Sequence, residues 1–317
     1  MIPSELKTTS KGDTCIARVT VPAELEGTPL DVAIRALVPS LSGSQVQTIL
    51  DHGGVWLGPK RYPDPALPVA EGMPLIVLHP LGFRYPSLQL TDDDVLWEDP
   101  WLLALRKQAG WFVQPTAWDR FGNVEHAVAV FLAQRDGLAR RLHLMHRLDR
   151  ETSGILLLTK QPEVNGTLQR AWSTGKVDKV YTALVAGSPP DHWSCDEPLG
   201  PGPNARYRVA PATGGRDALT DFETVARADG VSEIRAWPRT GRTHQIRLHS
   251  VHTGFPLLGD ERYAGPTHVG KIPIPRTMLH AGGLAFPHPQ TGEPVELVAE
   301  PPADYLDAAA ALGLRPR

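Results

Sequence analysis

The residue with the plainest chemical potential is Asp149, which stands between Arg147 and Arg150 in the stretch His146-Arg147-Leu148-Asp149-Arg150-Glu151-Thr152-Ser153-Gly154. Nearby guanidiniums favour the ionised form of a carboxyl, by roughly 1–3 pKa units when one sits within contact distance. A carboxylate held ionised can act as a nucleophile or as a base. The same composition also suits a turn aspartate solvated among arginines. The residues after it form a near-continuous apolar run, Ile155 to Thr159. Such a run suits a strand buried on both faces, entered through a bend at Ser153-Gly154, although a buried helix segment shares its pattern.

Charge is distributed unevenly around this stretch. The chain as a whole carries a net charge of −3, which argues against an undifferentiated polybasic nucleic-acid binder. Residues 135 to 150 nevertheless hold five arginines (135, 140, 141, 147, 150) against two aspartates, and residues 235 to 249 hold four arginines (235, 239, 242, 247) and no carboxylate. Clusters of this kind are the footprint expected of a phosphate-bearing partner, and solvated surface arginines are the plainer alternative. No phosphate loop, dinucleotide fingerprint or zinc spacing occurs. His249 and His252 with Asp260 could be imagined as metal ligands. Twelve histidines in 317 residues make such near-pairs common by chance, and no His-Glu-x-x-His is present.

Three ordered blocks carry a resemblance. The first is His146 to Gly154. The second is Lys179-Val180-Tyr181-Thr182-Ala183-Leu184-Val185-Ala186-Gly187. The third is Arg239-Thr240-Gly241-Arg242-Thr243-His244-Gln245-Ile246-Arg247-Leu248-His249, followed by Gly254-Phe255-Pro256-Leu257-Leu258-Gly259-Asp260 and Tyr263. Together they resemble the RluA-type (ribosomal large subunit) pseudouridine synthase family over residues 92 to 300. The resemblance implies isomerisation of uridine to pseudouridine in structured RNA. The bond from carbon 1′ to the ring nitrogen is cut, and the base turns and rejoins through carbon 5. Nothing is consumed, so no metal or other cofactor is implied, and the target nucleotide must leave its stack. By position in the motif, Asp149 matches the family's essential carboxylate, which attacks carbon 1′ or takes a proton from carbon 2′. Tyr181 matches the active-site aromatic, sharing a strand face with Lys179. Arg247 matches the basic residue, with an Arg247–Asp149 ion pair expected. Arg147 matches the arginine that fills the space of the flipped base. Lys179, Arg242 and His244 are candidate RNA contacts. A helix over 244–252 capped by Thr243 is expected to carry Arg247. Ribosomal RNA is favoured over transfer RNA as substrate. A non-catalytic RNA-binding or ribosome-assembly protein on the same fold is the rival reading.

The elements that must position these residues divide the chain. About two domains fit the length. Residues 1–27 read as an N-terminal extension with a short strand, Cys15 to Val21. Residues 28–80 resemble a small alpha-L RNA-binding domain in degenerate form. Leu30, Ile34 and Leu37 mark one helix, and Val46, Ile49 and Leu50 mark a second that Gly53-Gly54 can end. Where that domain type has Ser-Arg-Ser, this chain has Ser42-Gly43-Ser44. Residues 81–94 read as a linker and 95–317 as the catalytic domain, α+β with a mixed, mostly antiparallel sheet. In that domain Lys107, Ala109 and Gly110 match the family's Asn-Lys-Pro-Ala-Gly loop. Helices are expected over 123–135 with Asn123 as N-cap, over 163–174 and over 303–312. A hairpin is expected over 218–237 with its turn at 227–230, and a last strand pair at 279–286 and 294–298. Two cysteines, Cys15 and Cys195, imply no disulfide framework. No signal peptide and no membrane span of about 20 apolar residues is seen, so a cytoplasmic protein is expected. A monomer is the default, the RNA supplying the partner surface.

Overall fold

A computed structural model describes residues 7–11, 14–137, 142–202, 207–210 and 214–315. The chain forms two compact units, residues 1–89 with 112–135, and residues 90–111 with 136–317.

The first unit is built on a five-stranded antiparallel sheet of order β1-β2-β5-β3-β4, with β1 (Lys7–Lys11), β2 (Thr14–Thr20), β3 (Val55–Leu57), β4 (Lys60–Arg61) and β5 (Pro74–Pro80). Helices α1 (Leu30–Leu37) and α2 (Gly43–His52) cover it. Leu30, Ile34 and Leu37 meet Val46, Ile49 and Leu50 in one core with Val55, Leu75 and Val77. The helix pattern therefore does what its spacing requires. Ser42 caps α2: its Oγ accepts from Gln45 N at 3.2 Å, and the Gln45 side chain accepts from Ser42 N at 2.8 Å. Gly53, at φ 77, ends the helix in the left-handed region.

The boundaries differ from the sequence expectation in two places. The early strand is not an extension apart from the small unit. β2 pairs along its whole length with β5, from Thr14↔Pro80 to Thr20↔Pro74, and buries Ala17 and Val19 in the shared core. The second difference is the segment 112–135, which groups with the small unit although it was expected in the catalytic domain. Buried Asp119 explains this, because its carboxylate accepts from His52 Nδ1 at 2.9 Å and from the backbone N–H of Phe121 and Gly122. Helix α3 (Val124–Asp136) follows, with Asn123 Oδ1 accepting from His126 N as the expected cap.

The second unit carries a ten-stranded sheet. Its strands are β6 (Val95–Glu98), β7 (Leu102–Lys107), β8 (His143–Leu144), β9 (Ser153–Thr159), β10 (Asp178–Ala186), β11 (His192–Cys195), β14 (Thr220–Ala228), β15 (Val231–Pro238), β18 (Leu279–Pro287) and β19 (Pro294–Val298). Two short ribbons lie off it, β12 (Leu199–Pro201) with β13 (Tyr207–Val209), and β16 (His268–Val269) with β17 (Ile272–Pro273). The order is β11-β14-β15-β10-β18-β9-β7-β6, with β19 on β18 and β8 on β9. All neighbours are antiparallel except β9 and β18, so the sheet is mixed and mostly antiparallel, an α+β arrangement. The hairpin β14–β15 turns at Asp229-Gly230 alone, with Gly230 at φ 69. The strand runs two residues further than the pattern suggested.

All seven residues of β9 are buried, as the apolar run implies. One face packs on α4 (Asn165–Ser173) through Ile155, Leu157 and Leu168. A separate core gathers Leu184, Leu258, Met278 and Tyr305, the last on α6 (Ala303–Ala311). The parallel pairing of β9 with β18 spans two residue pairs, His280↔Ser153 and Ala281↔Gly154. Gly154 has φ +120, and a Cβ there would lie 2.3 Å from the Ala281 carbonyl oxygen. Only glycine admits this approach.

Candidate active site

Asp149 sits in the loop between β8 and β9, and backbone groups hold that loop from two sides. From one side Lys107, at the end of β7 and 1% exposed, donates from Nζ to the carbonyls of Gln108, Arg150 and Thr152 at 3.0, 3.0 and 2.8 Å. Gly110 N adds a bond to Arg150 O at 2.7 Å. Burial pulls the Lys107 ammonium down to about 7, opposed mainly by Glu151 and Asp149. From the other side Arg276 donates to Glu151 O at 3.1 Å, while its Nε and Nη2 grip Asp304 of α6 at 2.6 and 3.0 Å. Ser153, the first residue of β9, bonds His280 Nδ1 at 2.9 Å, and His280 Nε2 faces the Ala299 carbonyl at 2.9 Å. The carbonyl can only accept, so His280 Nε2 carries the proton and Ser153 donates to Nδ1.

The charge partner of Asp149 comes from α5 (Gln245–His252). Arg247 Nη1 donates to Asp149 Oδ2 at 2.8 Å, the expected ion pair. Arg247 is also gripped by Asp260, through Nε to Oδ2 and Nη2 to Oδ1, both at 2.7 Å. Burial works against the Arg247 charge, but Asp260 and Asp149 outweigh it and raise its pKa. Asp260 follows Gly259 (φ +75), where a Cβ would meet the Arg276 carbonyl oxygen at 1.8 Å. Tight turns therefore deliver both carboxylates. The Arg247 guanidinium also lies over the Tyr263 ring, 5.0 Å from its centroid.

The entrance to α5 differs from the expectation. Thr243 is not the cap. His244 occupies the cap position at φ 56 and ψ 25, without a side-chain capping bond. The Gln45-like role falls to Gln245, whose Oε1 accepts from Arg242 N at 3.0 Å and from Thr240 Oγ1 at 2.6 Å. This places His244 Nε2 3.7 Å from Asp149 Oδ1, and His244 Nδ1 2.6 Å from the Tyr263 hydroxyl.

Tyr181 lies on β10 opposite Ala236 of β15 and Ala281 of β18, just past a register shift at Val180. Burial first, and then the Asp149 charge, raise its hydroxyl pKa, so the phenol stays protonated. Lys179 points elsewhere. Its Nζ donates to Thr240 O at 2.9 Å, and burial lowers it to about 8. Arg242 donates from Nε to Asp217 O at 2.9 Å. Arg147 is exposed and Arg150 turns to Gly110 O, so the guanidiniums flanking Asp149 in sequence are not its partners. Arg140 and Arg141 lie outside the described residues.

Three of the four arginines in the second cluster meet carboxylates distant in sequence. Arg235 meets Glu223 at 3.7 Å, Arg239 meets Asp221 at 2.7 Å, and Arg247 meets its two aspartates. Sequence separation hid these partners. His146, at the head of the motif, is structural. Its Nε2 accepts from Leu157 N at 3.1 Å, its ring stacks on Trp172, and burial lowers it to about 4. Among the described residues no group of three His, Cys, Asp or Glu is placed to hold a metal. Asp260 faces Arg247, while His249 bonds Thr220 Oγ1 and Glu197 O. Sequence reading missed Lys107 as an anchor, Asp260 as the second grip on Arg247, and Arg276. The signals available were a lysine ending the apolar strand Leu102–Leu105 and an aspartate directly after a glycine.

The fold is that of pseudouridine synthases. A human structure, RNA Pseudouridylate Synthase Domain Containing 4, superposes with a TM-score of 0.60 at 23% identity, covering 70% of this chain and 93% of that one. Residues 102–252 match the family model described as RNA pseudouridylate synthase. An uncharacterized RNA pseudouridine synthase of Chloroflexus aurantiacus is 33% identical over 292 residues, 90% of each protein. A protein of Xanthomonas campestris named ribosomal large subunit pseudouridine synthase D is 29% identical, over 95% of this chain and 93% of its own. The chain belongs to the RluA-type family of RNA pseudouridine synthases, which are isomerases.

Proposed function

We propose that the protein isomerises uridine to pseudouridine in ribosomal RNA, with Asp149 as the reacting carboxylate. The observation that carries this reading is the asymmetry of that carboxylate. Oδ2 is taken by Arg247 at 2.8 Å, while among the described residues Oδ1 accepts no hydrogen bond and faces His244 Nε2 at 3.7 Å. A guanidinium contact favours the ionised form, and the open oxygen retains lone pairs for attack on carbon 1′ or for the proton of carbon 2′. The leaving base is kept and reused, so the second carboxylate of a glycosidase is not needed. Asp260 is committed to Arg247 and serves no proton transfer.

Tyr181, its phenol neutral, is suited to stack on the uracil and to exchange a proton at carbon 5. Arg147, exposed beside the loop, is free to enter the space of a nucleotide that has left its stack, a displacement costing on the order of a few kcal/mol. Arg242, His244 and Lys179 remain RNA contacts in this reading, with Lys179 acting through the Thr240 loop it holds. Relatives named for the ribosomal large subunit support ribosomal over transfer RNA. The small unit acts as an auxiliary RNA-binding domain to a catalytic domain carrying the ten-stranded sheet. The enzyme works without a cofactor, as a monomer, in the cytoplasm.

Tritium release from RNA labelled at uridine carbon 5 tests the reading. Wild type is expected to release tritium from ribosomal transcripts, and Asp149→Ala to release none while binding RNA as well or better. Turnover by Asp149→Ala would remove the carboxylate from the mechanism. Silence from wild type with RNA binding intact would point to a binding protein.

A further inference from the structure

His244 enters α5 through the left-handed region, at φ 56. A histidine adopts this conformation infrequently, and it persists where the surroundings over-determine it. Two contacts do so here. Nδ1 is 2.6 Å from the Tyr263 hydroxyl, and Nε2 is 3.7 Å from Asp149 Oδ1. The two rings stand edge to face, 5.5 Å between centroids. Burial lowers the imidazole to about 4, so it is neutral near pH 7 and carries one proton. In a neutral imidazole one nitrogen donates and the other accepts, and the partner of one decides the other.

The partners decide it here. A carboxylate paired with Arg247 offers only acceptor oxygens, so the nitrogen that faces it is stable as N–H. That nitrogen is Nε2. Nδ1 is then the acceptor, and the Tyr263 hydroxyl must donate into it.

We propose that His244 is a neutral hydrogen-bond donor aimed through Nε2 at the open oxygen of Asp149, and that Tyr263 is the positioning residue that sets this tautomer and orientation. The inference rests on Asp149 being the reacting carboxylate. His244 is then not the base of the reaction, because its lone pair is spent on Tyr263. At 3.7 Å the N–H lies beyond hydrogen-bond distance and acts on Oδ1 as a directed dipole, while Arg247 fixes Oδ2. Tyr263 touches both flanking groups, one through its hydroxyl and the other through its ring face at 5.0 Å.

The test combines spectroscopy with kinetics on the full chain. In protein labelled with nitrogen-15 histidine, the signals lost in His244→Gln identify the ring. Wild type is expected to show protonated Nε2 and bare Nδ1. Tyr263→Phe removes the donor to Nδ1, and the spectrum should move to a tautomer mixture. Turnover in the tritium assay should fall roughly tenfold in kcat, the low end of what loss of a tautomer-fixing partner costs at a histidine, with KM little changed. Glutamine can offer an N–H near the place of Nε2, so His244→Gln should retain more activity than His244→Ala. Tyr263→Phe should then add no further loss in the His244→Gln background. A proton on Nδ1 in wild type would overturn the proposal. So would an unchanged spectrum and kcat in Tyr263→Phe, or the same loss from Tyr263→Phe with glutamine at 244. If wild type released no tritium from any RNA, the functional reading would fall, and the tautomer spectrum would still decide the Tyr263–His244 geometry.

Discussion

One cation serves two anions at this site, and the sharing is unequal. Asp260 is 1% exposed and takes two bonds from Arg247, while Asp149 is more open and takes one. Removing the buried partner strands a buried charge, so Asp260→Asn is expected to cost about 3–5 kcal/mol in urea unfolding and to lower turnover as well. Asp149→Asn should cost under about 1 kcal/mol, because that end of the pair meets solvent, yet abolish turnover. Equal stability losses in the two variants would contradict this division. Lys107 gives a pH signature. Its folded pKa of about 7 lies below its ordinary 10.5, so between these values the unfolded chain binds the extra proton. The unfolding free energy therefore gains a rising contribution from pH 7 to about 10. Lys107→Met should flatten that rise in urea titrations and lower turnover, since three loop carbonyls lose their donor. The Arg247–Asp149 contact was legible because both residues sit in motifs whose spacing suggested it. Asp260 and Lys107 were not legible in role, because a residue's partner is a tertiary fact that the local pattern does not record.

At the scale of elements, the loop that carries Asp149 is placed by how closely β9 approaches β18. The contact at Gly154 leaves no volume for a methyl group. Gly154→Ala is expected to destabilise the protein by about 3–5 kcal/mol, or to prevent soluble expression, against about 1–2 kcal/mol for Gly175→Ala, where the left-handed φ of +70 is strained but a Cβ meets nothing within 4 Å. Comparable midpoints in urea would show that the strands can separate at little cost. The helices α1, α2 and α3 and the buried strand β9 were readable, since periodicity and capping are local. The pairing of β2 with β5 and the parallel contact of β9 with β18 were not, because strand partners are chosen by packing across long separations. The α5 entrance was misread for a related reason. A threonine before a helix is a sound cap by propensity, but the Gln245 side chain satisfies that backbone and frees His244 to turn toward Asp149.

For the whole molecule, the net charge is −3, and among the described residues carboxylates already answer Arg235, Arg239 and Arg247 of the second cluster. The slope of log affinity for RNA against log salt is expected to be shallower than about −4, well short of a protein that neutralises ten phosphates. A slope near −10 in filter binding would show that the counted ion pairs open on RNA. Composition showed that such a protein is not a polybasic binder, but not that Arg235, Arg239 and Arg247 of the second cluster each meet a carboxylate. The parallel contact of β9 with β18 also has a consequence for how the protein is made. Ser153 and His280, which bond across it, are 127 residues apart, and Arg276 and α6 are needed beneath the same loop. At a synthesis rate of about 5–20 residues per second, the Asp149 loop emerges from the translating ribosome roughly 6–25 s before the strand that seats it. During that interval the chain carries Asp149 without the strand and helix that seat its loop, and the candidate site is assembled only after α6 has emerged.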